Sequence, residues 1–340
     1  MTDRKDLIDQ FLSDAGWAGA RRDPLPGDAS LRRYIRLARA GDRAILMDAP
    51  PETGEDVRPF LAIGDWLTGC GLSAPAVLAR DADAGFLLLE DLGDDLVARH
   101  ADAWPADAPV LYAAATDVLT EIHRHTPPTL RHYPDQMADL AATVVDWYAP
   151  EARAHRPAIR DAMQAAIDAT LTGPDVLVHR DYHAENLLWM PDRAGVRRIG
   201  LLDFQDAMTG PGEYDLASLI HDPRRSVSNA SAEAAVRAYL GATQADPDEV
   251  AARIAVCSVQ RSLRIIGRVF TRLCLHSGRT SYLRFIPPTW VALQRELRHP
   301  ALTDLRGVLD GLLPEPDADW IADKMARAGT LAGRAHAGTE

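Results

Sequence analysis

Residues 176–204 read VLVHRDYHAENLLWMPDRAGVRRIGLLDF, and no other stretch restricts the possible folds as much. Three short apolar runs of buried-strand character interrupt a chain that, from about residue 93 onward, otherwise shows helical spacing of its apolar residues. The last two runs are joined by a Pro/Asp/Gly segment with turn chemistry. Folding the pair about Arg193–Ala194 lays Asn186 beside the Gly200–Asp203 region. Asp181 then stands a few residues upstream, in the loop after the buried strand DVLVH. Two carboxylates and an amide therefore converge at one end of a hairpin.

The flanking sequence predicts two unequal parts. Residues 1–20 alternate charged and apolar residues as a surface helix does. A hairpin follows, with strand-like Leu31–Leu37 and Arg43–Met47 around an RAGD turn. GEDVRPFLAIGDWLTGCG carries Val57, Phe60, Leu61, Trp66 and Leu67 at helical spacing before a glycine stop, and GFLLLEDLGDD reads as a short buried strand and a turn. The expected fold class is α+β: a small β-rich N-terminal lobe over 1–92, and a larger, mostly helical lobe over 93–340 carrying the catalytic loop and acceptor site. The final AGTLAGRAHAGTE is small and polar, as a frayed end would be.

Oxygen-donor side chains of this kind suit Mg²⁺, which takes one or two protein ligands and completes its shell with phosphates and water. They do not suit zinc. A free carboxylate beside such an ion can orient a hydroxyl toward a phosphoryl group. An isolated Asp ahead of a strand is ordinarily a cap or turn residue; the combination of Asp181, Asn186, a hairpin and Asp203 is what departs from that. HRDYHAEN also fits the pattern H-x-D-x-x-x-x-N, with LLDFQD where protein kinases carry D-F-G. In this form, with His183 inside the loop and GPGEYDLASLI downstream, the chain resembles the aminoglycoside phosphotransferases and choline kinase-like small-molecule kinases. The resemblance implies a two-lobed protein kinase-like fold, Asp181 as catalytic base, Asn186 and Asp203 as Mg²⁺ ligands, and ATP as donor. His179 and Asp215 would support the catalytic loop, and His183 would either do the same or touch substrate.

One part is missing. Kinase folds ordinarily hold the nucleotide phosphates with a strand lysine, yet among 37 Lys and Arg the only lysines are Lys5 and Lys324. The strand in question reads RAILMDAPP, with Met47 and Asp48 in that neighbourhood. Arg32 or Arg33, in the loop-like GDASLRRY (Gly27–Tyr34), could meet phosphates bidentately. Neighbouring strand residues face opposite ways, so one of the two would face the nucleotide. A nucleotide-binding regulator without transfer activity is the other reading of the missing lysine. The connector LLLEDLGDD resembles the family hinge. Backbone groups of Leu89–Asp91 would read adenine there, with Glu90 and Leu92 as the residues on that side.

GDASLRRYIRL, ILMDAPPE and LLLEDLGDDL, taken with the catalytic segments, resemble the bacterial cell-wall sugar kinases. That likeness spans nearly the whole chain and implies phosphorylation of the C1 hydroxyl of N-acetylmuramate or N-acetylglucosamine. An aminoglycoside, choline or homoserine kinase would use the same mechanism. Gln205 and Asp206 would lie near the acceptor hydroxyl. Arg261, Arg264, Arg268 and Arg272 recur at helical spacing along one stripe, and Arg261 and Arg264 are acceptor candidates suited to a carboxylate. Net charge of −12 opposes nucleic acid as a partner. No run reaches the 18 apolar residues of a membrane span, and the start lacks a signal peptide's apolar centre. Cys70, Cys257 and Cys274 form no disulfide or zinc spacing. The expectation is a cytoplasmic enzyme with a small-molecule sugar partner; oligomeric state is open.

Overall fold

Alternation of apolar residues along strands and along one helix builds the first part of the protein. The computed structural model describes residues 3–25 and 31–332; Gly27–Ser30 of the expected nucleotide-covering loop, and 333–340 of the expected frayed end, lie outside them. Helix α1 (Arg4–Asp14) is capped by Asp3, whose carboxylate accepts from the Lys5 N–H. Strands β1 (Arg21–Pro24), β2 (Arg33–Arg39) and β3 (Asp42–Asp48) precede helix α2 (Arg58–Gly69), and β4 (Val77–Asp81), β5 (Phe86–Glu90) and helix α3 (Val97–Ala103) follow. The five strands form one sheet, every neighbouring pair antiparallel, in the order β1-β2-β3-β5-β4. Ile8 and Leu12, four apart on α1, join Leu37, Ala44, Leu46, Phe86 and Leu88 in one core cluster. Each buried Leu, Ile or Phe among them contributes about 1.5–3 kcal/mol. The β2–β3 turn pairs Arg39 with Asp42 and runs through Ala40 (φ 50°) and Gly41 (φ 96°). Two successive positive φ values match the twist of a two-residue hairpin, and Gly41 adopts its value without steric cost.

This first compact unit comprises Met1–Pro105 together with Ala184–Ala207. It runs past the residue-92 boundary read from the sequence and takes in the hairpin of Leu187–Trp189 and Ile199–Leu201, which had been assigned to the helical part. Specific bonds hold the hairpin there. Leu201 N–H donates to the Ser73 carbonyl at 2.8 Å and Trp189 N–H to the Asp95 carbonyl at 2.7 Å. Arg193 donates to Glu90 at 2.6 Å and to Ser73 Oγ at 2.8 Å.

The second unit comprises Ala106–His183 and Met208–Glu340. Its helices are α4 (Ala108–Ile122), α5 (Pro134–Ala142), α6 (Val144–Trp147), α7 (Arg156–Thr170), α8 (Glu213–Ile220), α9 (Asn229–Thr243) and α10 (Pro247–Arg264). Strand Val176–Val178 pairs antiparallel with Met208–Gly210. Helix α4 packs along α9, and α10 packs on α5 and α8. Asp246 caps α10, accepting from the Asp248 and Glu249 N–H groups, with Pro247 at the first helical position. Past Arg264 the helix widens into a π segment, Ile265–Thr271, before α11 (Arg272–Ser277). No helix among the described residues is long and apolar enough to cross a membrane.

Candidate active site

In the first unit the hairpin does what its spacing predicts. Leu202 N–H donates to the Asn186 carbonyl at 3.0 Å, and this ladder contact sets the Asn186 amide 3.4 Å from Asp203 Oδ2. Asp203 is solvent-exposed and sits at φ 60°, a left-handed conformation that Asp tolerates better than most residues. The next residue, Phe204, is fully buried and stacks on Phe60 of α2 with centroids 4.7 Å apart. The strained turn thus anchors the aromatic ring inward and leaves the carboxylate outward. Gln205 donates to Asp203 Oδ1 at 2.7 Å, which explains its conformation without an acceptor; Asp206 is exposed. A side-chain amide, which can offer its oxygen, beside a carboxylate is the hard, low-count donor set that Mg²⁺ takes from protein.

Of the two residues in the neighbourhood where lysine was expected, Met47 and Asp48, both are buried, Asp48 only 1% exposed. Its Oδ1 accepts from Arg4 at 3.0 and 2.7 Å, and Oδ2 pairs with Arg33 at 2.6 Å. Arg33 and Asp48 are cross-strand partners, so the register itself creates this pair. Arg32 is committed differently. It pairs with Glu55 at 2.6 Å and hydrogen-bonds Tyr34, while burial, with Asp203 adding to it, pushes the Tyr34 hydroxyl above its ordinary pKa. Arg32 is therefore one residue removed from Asp203. Tyr34, Glu55 and Arg4 were missed from sequence. For Tyr34, alternation from Arg32 was a usable signal; the other two carried none. Glu90 spends its side chain on Arg193 and the Ala76 N–H, and Leu92 lies against Gly200, where an added Cβ would come within 3.2 Å of its methyl.

In the second unit the loop holding Asp181 is fixed from several sides. Asp215 accepts from the His179 N–H at 2.6 Å and the Arg180 N–H at 2.9 Å. Tyr182, fully buried, donates its hydroxyl to the Ala115 carbonyl at 2.7 Å, and the buried His179 ring meets it edge-on. Arg180 stands at φ 76°, a conformation costing of order 1–3 kcal/mol for a long side chain and kept only where surroundings enforce it. Burial pushes the Asp181 carboxyl up, but Arg264, the His183 ring, Arg261 and Arg180 outweigh it and hold the pKa down at about 2. Burial, then Arg224, lowers His183 well below the usual imidazole range, so it is neutral at pH 7. Arg261 and Arg264 are 4% and 8% exposed. They are not the solvated stripe that helical spacing suggests; exposure returns only further along, at the half-buried Arg268 and exposed Arg272.

A β-rich unit carries the Asn–Asp pair, and a helical unit carries the pinned H-x-D loop five residues earlier in the chain, the parts expected of a protein kinase-like fold. Residues 22–253 match the phosphotransferase enzyme family, and the chain belongs to that family. An N-acetylmuramate/N-acetylglucosamine kinase of Caulobacter vibrioides is 38% identical, with 89% of this chain and 95% of the relative aligned. A protein of the same name from Pseudomonas putida is 34% identical over 88% and 91%. Among solved structures, a choline/ethanolamine kinase family protein from Mesorhizobium loti superposes with a TM-score of 0.61 at 17% identity, covering 90% of this chain and 99% of that one. The chain is thus similar to small-molecule kinases along almost its whole length.

Proposed function

We propose that the protein transfers the γ-phosphoryl group of ATP to the C1 hydroxyl of N-acetylmuramate, N-acetylglucosamine or both. The observation that carries this reading is 38% identity, across nearly the full length of both chains, to a kinase of those two sugars, with Asp181, Asn186 and Asp203 all present. Asp181 accepts a hydrogen bond from the sugar hydroxyl and fixes its line of approach. A carboxylate with a pKa of about 2 is too weak a base to remove the proton early. That suits a loose transition state, in which positioning matters more than nucleophile strength. Asn186 and Asp203 would hold Mg²⁺, which when bound neutralises charge on the phosphates. Arg32, braced by Glu55 and Tyr34, takes the phosphate-facing role of the absent lysine, while Arg33 is occupied by Asp48. Backbone groups around Glu90 and Leu92 would border adenine. Gln205 orients Asp203, and His179 and Asp215 hold the loop. A cationic acceptor such as an aminoglycoside is opposed by Arg261 and Arg264 beside Asp181. Three free cysteines and ATP as donor accord with the cytoplasm.

The test is ADP release with Mg·ATP and each of N-acetylmuramate, N-acetylglucosamine, an aminoglycoside, choline and homoserine, with phosphorus NMR of the product. Turnover is expected on an N-acetyl sugar, with phosphate on C1. Asp181→Asn should lower kcat by at least about 10³-fold with little change in nucleotide affinity. Arg32→Gln should raise KM for ATP. Turnover confined to another acceptor would discard the substrate and keep the mechanism. ATP binding without transfer to any acceptor would make the protein a regulator instead.

A further inference from the structure

Arg261 and Arg264 lie at the C-terminal end of α10, and burying two guanidinium groups there demands compensation. Among the described residues the only hydrogen bond to either is a long one, 3.5 Å, from Arg264 to the Tyr214 hydroxyl. Neither is in ion-pair contact with a carboxylate, and the Nε of each is buried with no acceptor. Acting on one another electrostatically are Arg180, Arg224, Arg261 and Arg264, against the carboxylates Asp181 and Asp222. Asp215, the next carboxylate, directs its oxygens at two backbone N–H groups. Asp222 Oδ1 likewise accepts from the Arg224 N–H. A buried guanidinium left with unused donors is built to receive an anion.

We propose that Arg261 and Arg264 receive the carboxylate of an acidic acceptor, so that the lactyl acid of N-acetylmuramate is recognised by a buried arginine pair. The assignment rests on the sugar-kinase reading and narrows it. N-Acetylmuramate differs from N-acetylglucosamine by a lactyl ether that adds one carboxylate, so the pair separates two acceptors with the same reacting hydroxyl. Placement favours the acceptor over the nucleotide as the source of the anion. The arginines share the second unit, and the electrostatic surroundings, of Asp181, which meets the acceptor hydroxyl. The π segment begins directly after Arg264, and widened turns of this kind recur at functional sites because they re-aim the side chains around them.

Steady-state kinetics of the wild type, Arg261→Met and Arg261→Lys on both sugars decide the matter. The readout is the ratio of kcat/KM for N-acetylmuramate to that for N-acetylglucosamine. Arg261→Met should lower the ratio about 10- to 100-fold, the value of a charge-assisted hydrogen bond pair, with the change carried by KM for N-acetylmuramate. Arg261→Lys keeps the buried charge, and with it the fold, but lacks the two-pronged grip; it should fall between the two. A melting curve reports folding in each variant, and the N-acetylglucosamine reaction serves as the reference in the ratio. Equal losses on both sugars would reduce Arg261 to a structural role and overturn the proposal. A raised KM for ATP at an unchanged ratio would move the anion to the nucleotide and overturn it as well. A wild type that turns over both sugars with no change of ratio in any variant refutes the arginine assignment alone, whereas a wild type active on neither sugar removes the kinase reading beneath it.

Discussion

At the residue scale, Asp215 is the carboxyl that anchors the loop carrying Asp181, accepting from the His179 and Arg180 N–H groups. Burial, working against His179 and the backbone N–H groups of His179 and Arg180, raises its pKa to about 6. The groups acting on it are His179, Asp181, Tyr182 and Cys257. A carboxyl raised from 3.8 binds its proton more readily folded than unfolded. The stability it contributes is therefore fully present below about pH 4 and is lost as pH rises through 6. Activity runs the other way, because protonation removes an acceptor from the two N–H groups that hold Arg180 at φ 76°. We expect kcat to fall on the acid side with a midpoint near 6. Asp181, at about 2, adds no inflection between pH 4 and 8. Asp215→Asn should lower the plateau about 10- to 100-fold and abolish that inflection. A pH–kcat profile with the same midpoint in wild type and variant would assign the titration elsewhere. The candidate site residues could be picked out in sequence because their spacing is short and local: Asp181, Asn186 and Asp203 fall within 23 positions on one loop and one hairpin. The brace of Arg32 by Glu55 spans 23 residues and the Arg4–Asp48 pair 44. Contacts at such separations depend on how α1 and α2 are placed, which no local pattern encodes.

At the element scale, the strands of the five-stranded sheet that sequence reading missed are the two at its edges, β1 and β4. Edge strands carry charge and leave much of both faces to solvent; RRDP and VLARD show no clear apolar alternation, whereas β3 and β5 at the centre are near-continuous apolar runs. The π segment after Arg264 was also invisible, since a pattern read at 3.6 residues per turn assumes the very geometry that the segment abandons. Two features hold it open. Thr271 Oγ1 donates to the Ile266 carbonyl, five residues back, at 2.7 Å. A Cβ on Gly267 would stand 2.7 Å from Val144 Cα and 3.1 Å from the Thr143 carbonyl oxygen, so the backbone of α6 approaches to a distance only glycine permits. Gly267→Ala should cost about 1–3 kcal/mol through overpacking that backbone cannot relieve. A melting curve checks it: a midpoint lowered by several degrees is expected, and an unchanged one would mean that α6 yields freely. The same shift should alter kcat, since Arg264 and Arg268 straddle the start of the segment.

At the scale of the whole molecule, charge sets a problem that its distribution resolves. The chain carries −12 overall, and its proposed substrates, ATP and a sugar acid, are anions. Its positive charge is almost wholly arginine, with two lysines near the ends, and Arg264, Arg261 and Arg180 act on Asp181 while Arg224, Arg261 and Arg225 act on Asp222. Long-range repulsion from the rest of the surface passes through solvent and is screened over about 10 Å at 0.1 M salt. Contacts made by buried arginines are screened far less. Added salt should therefore weaken what opposes an acidic acceptor more than what holds it. The ratio of kcat/KM for N-acetylmuramate to that for neutral N-acetylglucosamine should hold or rise between about 10 and 150 mM NaCl, ATP binding being common to both reactions and cancelling from the ratio. A steep fall would place the carboxylate on exposed cations, such as Arg268 or Arg272, and not on the buried pair.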